Sequence, residues 1–103
     1  MVARQGGEEF VVLLDGADAD QAQIAGERLR RMVEASPYDD DAGQLTLTIS
    51  IGVATISAAD SGFEHLLSRA DQALYRAKAE GRNRVVLAAS PQQDYTRRRP
   101  ANN

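Results

Sequence analysis

The sequence predicts a single α+β domain in which an antiparallel-dominated sheet is covered by helices. Stretches of alternating apolar and polar residues are separated by longer stretches in which apolar residues recur at helical spacing. The length of 103 residues is enough for one modest core. The composition, 43% hydrophobic and 26% charged, is that of an ordinary globular chain.

The first predicted element is a hairpin near the N-terminus. Apolar residues lie on both sides of Gly6 and Gly7, in the short segment Met1–Arg4 and in the run Phe10–Leu14. A tight two-residue turn needs positive φ angles, which glycine adopts without steric cost. We therefore expect two strands joined at the glycine pair.

Two carboxylates, Glu8 and Glu9, follow this turn directly. A backbone without side chains lets the phosphates of a ligand approach closely, and adjacent carboxylates can hold a hard divalent cation. This arrangement suits a protein that handles nucleotides. A hairpin turn followed by solvated charges explains the same residues, so the turn alone leaves both interpretations open.

A helix is predicted to begin at Asp18. Asp18 and Gln21 have the spacing of a capping box, in which each side chain satisfies a free backbone N–H. Ser36-Pro37 marks the end of this helix. The next residues, Asp39–Asp41, are consecutive and point in different directions, so we expect a solvated loop there rather than a metal site.

The clearest predicted strand covers residues 45–54. Its odd-numbered positions are leucine, isoleucine or valine, and its even-numbered positions are threonine, serine, glycine or alanine. This alternation predicts one core face and one small, polar face. The polar face could line a ligand cleft, but an exposed sheet surface is the simpler interpretation.

A second helix is predicted from the capping-box pair Ser61 and Glu64 to Gly81, which is the expected residue after a helix C-terminus. A last strand follows at Val85–Ala88, and the composition of residues 90–103 predicts a mostly disordered tail. The domain is therefore expected to span residues 1–89. The order of elements resembles a ferredoxin-type split unit that lacks its beginning.

Charge and composition exclude several classes of function. A formal charge of −3 and a pI near 5.0 argue against a general nucleic-acid binder. The absence of cysteine excludes disulfides and thiolate metal sites, and a single histidine cannot form a histidine-rich site. No apolar run is long enough to span a bilayer, so we expect a cytoplasmic chain without a membrane segment.

Three segments together resemble one family. The segment Arg4–Phe10 contains the sequence GGEEF, Leu47–Ala54 reads LTISIGVA, and Ala70–Asn83 reads ADQALYRAKAEGRN. In this order, across residues 2–88, they resemble the C-terminal portion of a GGDEF domain, the diguanylate cyclase module of bacteria.

The resemblance implies a palm-like fold related to class III nucleotidyl cyclases. It implies condensation of two GTP molecules into cyclic di-GMP with release of two pyrophosphates, at the interface of a homodimer. Mg²⁺, or Mn²⁺ in its place, is the implied cofactor. An upstream sensory or regulatory domain is expected in a full-length parent, and no nucleic-acid partner is expected.

The resemblance also assigns roles in the signature turn. Glu8 matches the position of a metal ligand and candidate base, and Glu9 matches the second acidic position of the metal site. Gly6 and Gly7 match positions where the backbone approaches the phosphates.

Three basic residues match further family positions. Lys78 and Arg82 correspond to residues that hold the terminal phosphates, although cations near the end of a helix also offset its dipole. Taken with the GGEEF segment and the cap Gly81-Arg82-Asn83, the phosphate role is preferred. Arg28 matches an arginine of the family's product-inhibition site, and an exposed helical arginine is the simpler interpretation.

The family's first strand, with its paired aspartates, has no counterpart in residues 1–103. We therefore expect Glu8 and Glu9 to form half of a metal site, and we expect the isolated chain not to turn over. The alternative is a catalytically inactive nucleotide-binding or protein-interaction module. A third possibility is a small structural domain that resembles the family by chance, but all three segments would then have to match the family motifs by coincidence.

Overall fold

The computed structural model describes residues 2–4, 8–36, 38–40, 43–45 and 47–89. The elements are β1 (Val2–Arg4), β2 (Glu9–Leu14), α1 (Ala19–Glu34), β3 (Tyr38–Asp40), β4 (Gly43–Leu45), β5 (Ser50–Thr55), α2 (Phe63–Ala79) and β6 (Val85–Leu87). Gly6, Gly7 and the predicted tail at 90–103 lie outside the described residues. None of the helices in the described ranges is long and apolar enough to cross a membrane.

The main sheet has the strand order β1-β2-β5-β6. β1 and β2 are antiparallel, as the predicted hairpin requires. β2 pairs in parallel with β5, and β5 pairs in parallel with β6. The prediction of an antiparallel-dominated sheet is therefore wrong. Each helix carries the chain back to the end of the sheet from which it started, so the strand that follows runs parallel to the one before.

The two helices cover opposite faces of the sheet. Val11 and Leu13 of β2 belong to a core cluster with residues of α2, whereas Val12 between them belongs to a cluster with α1. The chain steps in the same direction across the sheet in both crossovers, from β2 to β5 and from β5 to β6. The two crossovers therefore have opposite hands, and one of them departs from the right-handed rule that about 98% of parallel crossovers follow.

The strand predicted over residues 45–54 is divided in the structure. Leu45 ends β4, which pairs with β3 in a small hairpin, and β3 forms where a solvated loop was predicted. The expected exposed face of β5 is in fact buried: Ser50 is 3% exposed and Ala54 is 1% exposed. A Cβ atom on Gly52 would overlap the backbone of α2, so glycine permits the helix to pack directly on this face.

The helix ends test the local predictions. The capping box of α1 is confirmed, with Gln21 N donating to Asp18 Oδ1 at 2.8 Å and Asp18 N donating to Gln21 Oε1 at 2.9 Å. The second capping box is wrong, because α2 begins after Gly62 and has no side-chain cap. The N–H of Ser61 instead donates to His65 Nδ1 at 3.3 Å.

A buried ion pair joins α2 to the segment after β5. Arg69 is 8% exposed, and its Nε and Nη2 donate to the two carboxylate oxygens of Asp60 at 2.9 and 2.8 Å. The same guanidinium donates to the carbonyls of Thr55, at 2.7 Å, and Ala89, at 3.0 Å. This one side chain therefore ties α2 to the last residue of β5 and to the segments that follow β5 and β6.

Candidate functional site

Glu8 and Glu9 lie at the start of β2, where the sheet meets the end of α2. The carbonyl of Glu8 accepts the N–H of Ser50 at 2.9 Å, which fixes its backbone against β5. Its side chain is exposed and takes part in no ion pair among the described residues. Glu9 is half-buried, because it is the first residue of β2 and α2 packs across that strand.

The side chain of Glu9 joins the two basic residues that were expected to bind phosphate. Lys78 Nζ donates to Glu9 Oε1 at 3.0 Å. Arg82 Nη1 lies 3.7 Å from Glu9 Oε2. The Lys78 side chain is 30% exposed and the Arg82 side chain is 60% exposed, so an anion from solvent can reach both. Two cations thus converge on one carboxylate at the surface.

The loop after α2 places Arg82 in this cluster. The N–H of Arg82 donates to Ala77 O at 2.9 Å and the N–H of Gly81 donates to Lys78 O at 3.3 Å, which together form the Schellman motif expected at this glycine. Gly81 has a φ of 125°, and Arg82 and Asn83 have φ angles of 64° and 45°. A left-handed conformation costs a residue with a side chain about 1–2 kcal/mol, so the surroundings must hold this loop in place.

Residues of α1 hold the far side of that loop, a contact that the sequence did not predict. Arg30 Nη1 donates to Asn83 Oδ1, and Asn83 Nδ2 donates to Glu34 Oε2, both at 3.0 Å. Arg30 also makes two 3.0 Å hydrogen bonds to Glu27. Chiefly through its hydrogen bond from Arg30, the pKa of Glu27 is held below its usual value. In the sequence, the only indication of this contact is that Arg30 and Glu34 lie one helical turn apart and can therefore bind one partner together.

Two consecutive carboxylates do not complete a metal site. Within the described parts of the chain, no group of three or more histidine, aspartate or glutamate residues could hold an ion. Glu9 is already neutralised by Lys78 and Arg82. Glu8 and Glu9 therefore do not fit Mg²⁺ or Mn²⁺ unless further oxygen ligands come from elsewhere.

Arg28 lies apart from these residues. It is exposed on α1, whereas Lys78 belongs to α2 on the other face of the sheet. An open groove of about 570 Å³ runs along this part of α1. Its lining residues are Gln23, Ile24, Glu27, Arg28, Arg31, Met32 and Ala35. The structure thus brings Glu9, Lys78 and Arg82 together and leaves Arg28 outside their cluster.

Comparison with known proteins gives one consistent result. A family model described as "Diguanylate cyclase, GGDEF domain" matches residues 1–84. "Diguanylate cyclase A" of Treponema denticola is 42% identical over 86 residues, which cover 84% of this chain and 23% of that protein. "Response regulator PleD" of Caulobacter vibrioides is 50% identical over 90 residues, covering 84% of this chain and 20% of that protein.

A third relative agrees with these two. "Diguanylate cyclase DgcP" of Pseudomonas aeruginosa is 42% identical over 87 residues, covering 84% of this chain and 13% of that protein. The chain thus spans between 13% and 23% of the length of these three curated relatives.

Proposed function

Because this chain belongs to the diguanylate cyclase GGDEF domain family, we propose that it carries the phosphate-binding part of a diguanylate cyclase active site. The observation that supports this proposal is the convergence of Lys78 and Arg82 on Glu9 at the start of β2. Two cations that share one surface carboxylate can exchange it for the oxygens of a triphosphate.

The parent reaction in this proposal joins two GTP molecules, each presented by one half of a homodimer. The 3′-hydroxyl oxygen of one nucleotide attacks the α-phosphorus of the other, the bond to the β-phosphate breaks, and pyrophosphate leaves. Repetition on the second nucleotide closes cyclic di-GMP. Lys78 and Arg82 would hold the terminal phosphates and offset the charge on the leaving pyrophosphate.

Glu8 is the candidate general base for the attacking hydroxyl. Its carboxylate is exposed and free of ion pairs in the described part of the chain, whereas the carboxylate of Glu9 is engaged by two cations. A carboxylate that is free of ion pairs can contact the hydroxyl directly and accept its proton. The family's divalent cation would further stabilise charge on the phosphates when bound, and its remaining ligands, like an upstream sensory domain, would belong to the parent protein.

A nucleotide-binding module without turnover is the second candidate function. The neutralised Glu9 and the lack of a third acidic ligand among the described residues favour it for residues 1–103 taken alone. We expect calorimetry to detect GTP binding by this chain and product analysis to detect no magnesium-dependent cyclic di-GMP. Cyclic di-GMP that is formed by the unaltered chain and lost in Glu8→Ala would contradict the expectation of no turnover. If GTP gives no heat at all, the chain does not bind nucleotide, and a role in protein interaction is the remaining function.

Glu9 is expected to compete with phosphate for its two cations. In the absence of divalent ions, Glu9→Gln should bind inorganic pyrophosphate about fivefold more tightly than the unaltered chain, because each partly exposed ion pair is worth up to about 1 kcal/mol. Calorimetric titration measures this change. Glu80→Gln, which removes an exposed carboxylate 3.8 Å from Arg84, is the matched control for net charge. Weaker binding by Glu9→Gln would show that Glu9 positions the cations instead.

A further inference from the structure

We propose that Asn83 is a positioning residue for Arg82, and that Glu34 and Arg30 of α1 act on the phosphate site through it. This inference rests on the proposed phosphate-binding role of Arg82. It starts from the two hydrogen bonds that hold the amide of Asn83, one from Arg30 Nη1 and one to Glu34 Oε2, each 3.0 Å long. Neither α1 residue takes part in the ion pairs of Glu9.

The backbone around Arg82 explains why such an anchor is needed. Arg82 and Asn83 are consecutive residues with side chains, and both have positive φ angles, of 64° and 45°. Such a conformation persists only where the surrounding structure over-determines it. Arg82 is tied to α2 by its N–H bond to Ala77 O, and the carbonyl of Arg84 is tied to β5 by the N–H of Ile51, at 2.9 Å in each case.

Between these two ties, the amide of Asn83 makes the contact with α1. Both ends of the amide are engaged, since Oδ1 accepts from a cation and Nδ2 donates to a carboxylate. The cation is itself well held, because the Arg30 side chain is only 15% exposed and pairs with Glu27 as well as Glu34. The loop that carries Arg82 is thus fixed to helices on both faces of the sheet.

The direction in which Glu34→Ala changes anion binding distinguishes this inference from a simple effect of charge. Glu34→Ala removes a negative charge near the phosphate site, and on charge alone it should favour binding of an anion. If Glu34 acts by holding Asn83, the same substitution should weaken binding. Glu80→Ala removes a neighbouring carboxylate that pairs with Arg84 and does not contact Asn83, so it measures the effect of charge alone.

The test is calorimetric titration of the full chain with inorganic pyrophosphate in the absence of divalent cations. We expect Asn83→Ala and Glu34→Ala each to weaken binding about fivefold, while Glu80→Ala leaves binding unchanged or slightly tighter. Asn83→Gly accepts positive φ without strain but lacks the amide, and it should bind as weakly as Asn83→Ala. Circular dichroism confirms that each variant is folded, and Glu34 lies on a partly exposed helix surface where alanine is tolerated.

A double-mutant comparison shows whether Asn83 acts through Arg82. The effect of Asn83→Ala should disappear when Arg82 is already alanine, and it should persist when Lys78 is alanine. If Arg82→Ala weakens binding while Asn83→Ala and Glu34→Ala do not, the positioning inference is wrong and the proposed function stands. If pyrophosphate does not bind, or Arg82→Ala leaves binding unchanged, the phosphate role fails and the inference fails with it.

Discussion

Replacing Asp60 with alanine is expected to lower the free energy of unfolding by about 3–5 kcal/mol. The substitution would leave the guanidinium of Arg69, which is 8% exposed, buried without its carboxylate partner. It would also remove the acceptor of the Ser57 N–H, which donates to Asp60 Oδ2 at 2.9 Å. A small domain has a total free energy of unfolding of only about 5–15 kcal/mol, so the midpoint of urea unfolding should move to a much lower urea concentration.

Two further variants establish the cause. Asp20→Ala removes an exposed carboxylate from the first turn of α1 and should cost about 1 kcal/mol or less. Combining Asp60→Ala with Arg69→Met removes both charges, and it also removes the two hydrogen bonds that Arg69 donates to the carbonyls of Thr55 and Ala89. The double variant should still be more stable than Asp60→Ala alone, because an unpaired buried charge costs about 3–5 kcal/mol and each lost hydrogen bond costs about 1 kcal/mol. A double variant that is no more stable than Asp60→Ala would contradict the buried-charge explanation.

The same ion pair makes stability depend on pH. The hydrogen bond from Arg69, with a smaller contribution from the Ser57 N–H, holds the pKa of Asp60 below its usual value of 3.8 in the folded chain. A carboxyl whose pKa is lower in the folded state adds stability above its unfolded pKa, and that stability is lost as the pH falls through the folded pKa. The free energies of unfolding of the unaltered chain and of Asp60→Ala, measured by urea unfolding, should therefore become more similar as the pH is lowered from about 7 to about 2.

Removing both Lys78 and Arg82 is expected to abolish binding of GTP. These are the two cations that converge on Glu9, and each charge-assisted hydrogen bond to phosphate contributes about 1.5–3 kcal/mol. Their joint loss should weaken binding at least about a hundredfold, which places it beyond calorimetric detection. Each single alanine variant should retain weaker, measurable binding.

Arg28→Ala is the control for this double variant. Arg28 is an exposed arginine on α1 and takes no part in the ion pairs of Glu9. Its replacement should leave GTP binding close to that of the unaltered chain. Equal losses in Arg28→Ala and in Arg82→Ala would show that only the general positive charge of the chain matters, which would contradict a defined site.

Features governed by neighbouring residues were predictable from the sequence. Asp18 and Gln21 form the expected capping box, and Gly81 ends α2 in the expected left-handed turn. The same reasoning failed at Ser61 and Glu64, because Gly62 precedes the helix with a φ of 154° and the Ser61 N–H bonds to a histidine side chain. A capping box forms only when the N-cap residue has the required φ and ψ angles, and a four-residue sequence pattern does not determine these angles.

Features governed by distant residues were not predictable. The direction of pairing between β2 and β5 follows from where α1 returns the chain, and burial of the small face of β5 follows from α2 packing on Gly52. Within the candidate site, the resemblance selected Lys78 and Arg82 as candidates, but it did not predict that both contact Glu9. Lys78 and Glu9 are 69 positions apart in the sequence. The contact between Arg30 and Asn83 spans 53 positions and has no pattern in the sequence.

Displacement of GTP by pyrophosphate tests most directly whether Lys78 and Arg82 recognise phosphate. The chain is titrated with GTP alone, with GTP in the presence of saturating inorganic pyrophosphate, and with guanosine. Binding directed at the phosphates predicts that GTP binds, that pyrophosphate suppresses this binding, and that guanosine gives no heat. GTP that binds equally well in saturating pyrophosphate, or guanosine that binds as tightly as GTP, would contradict a phosphate site at Lys78 and Arg82.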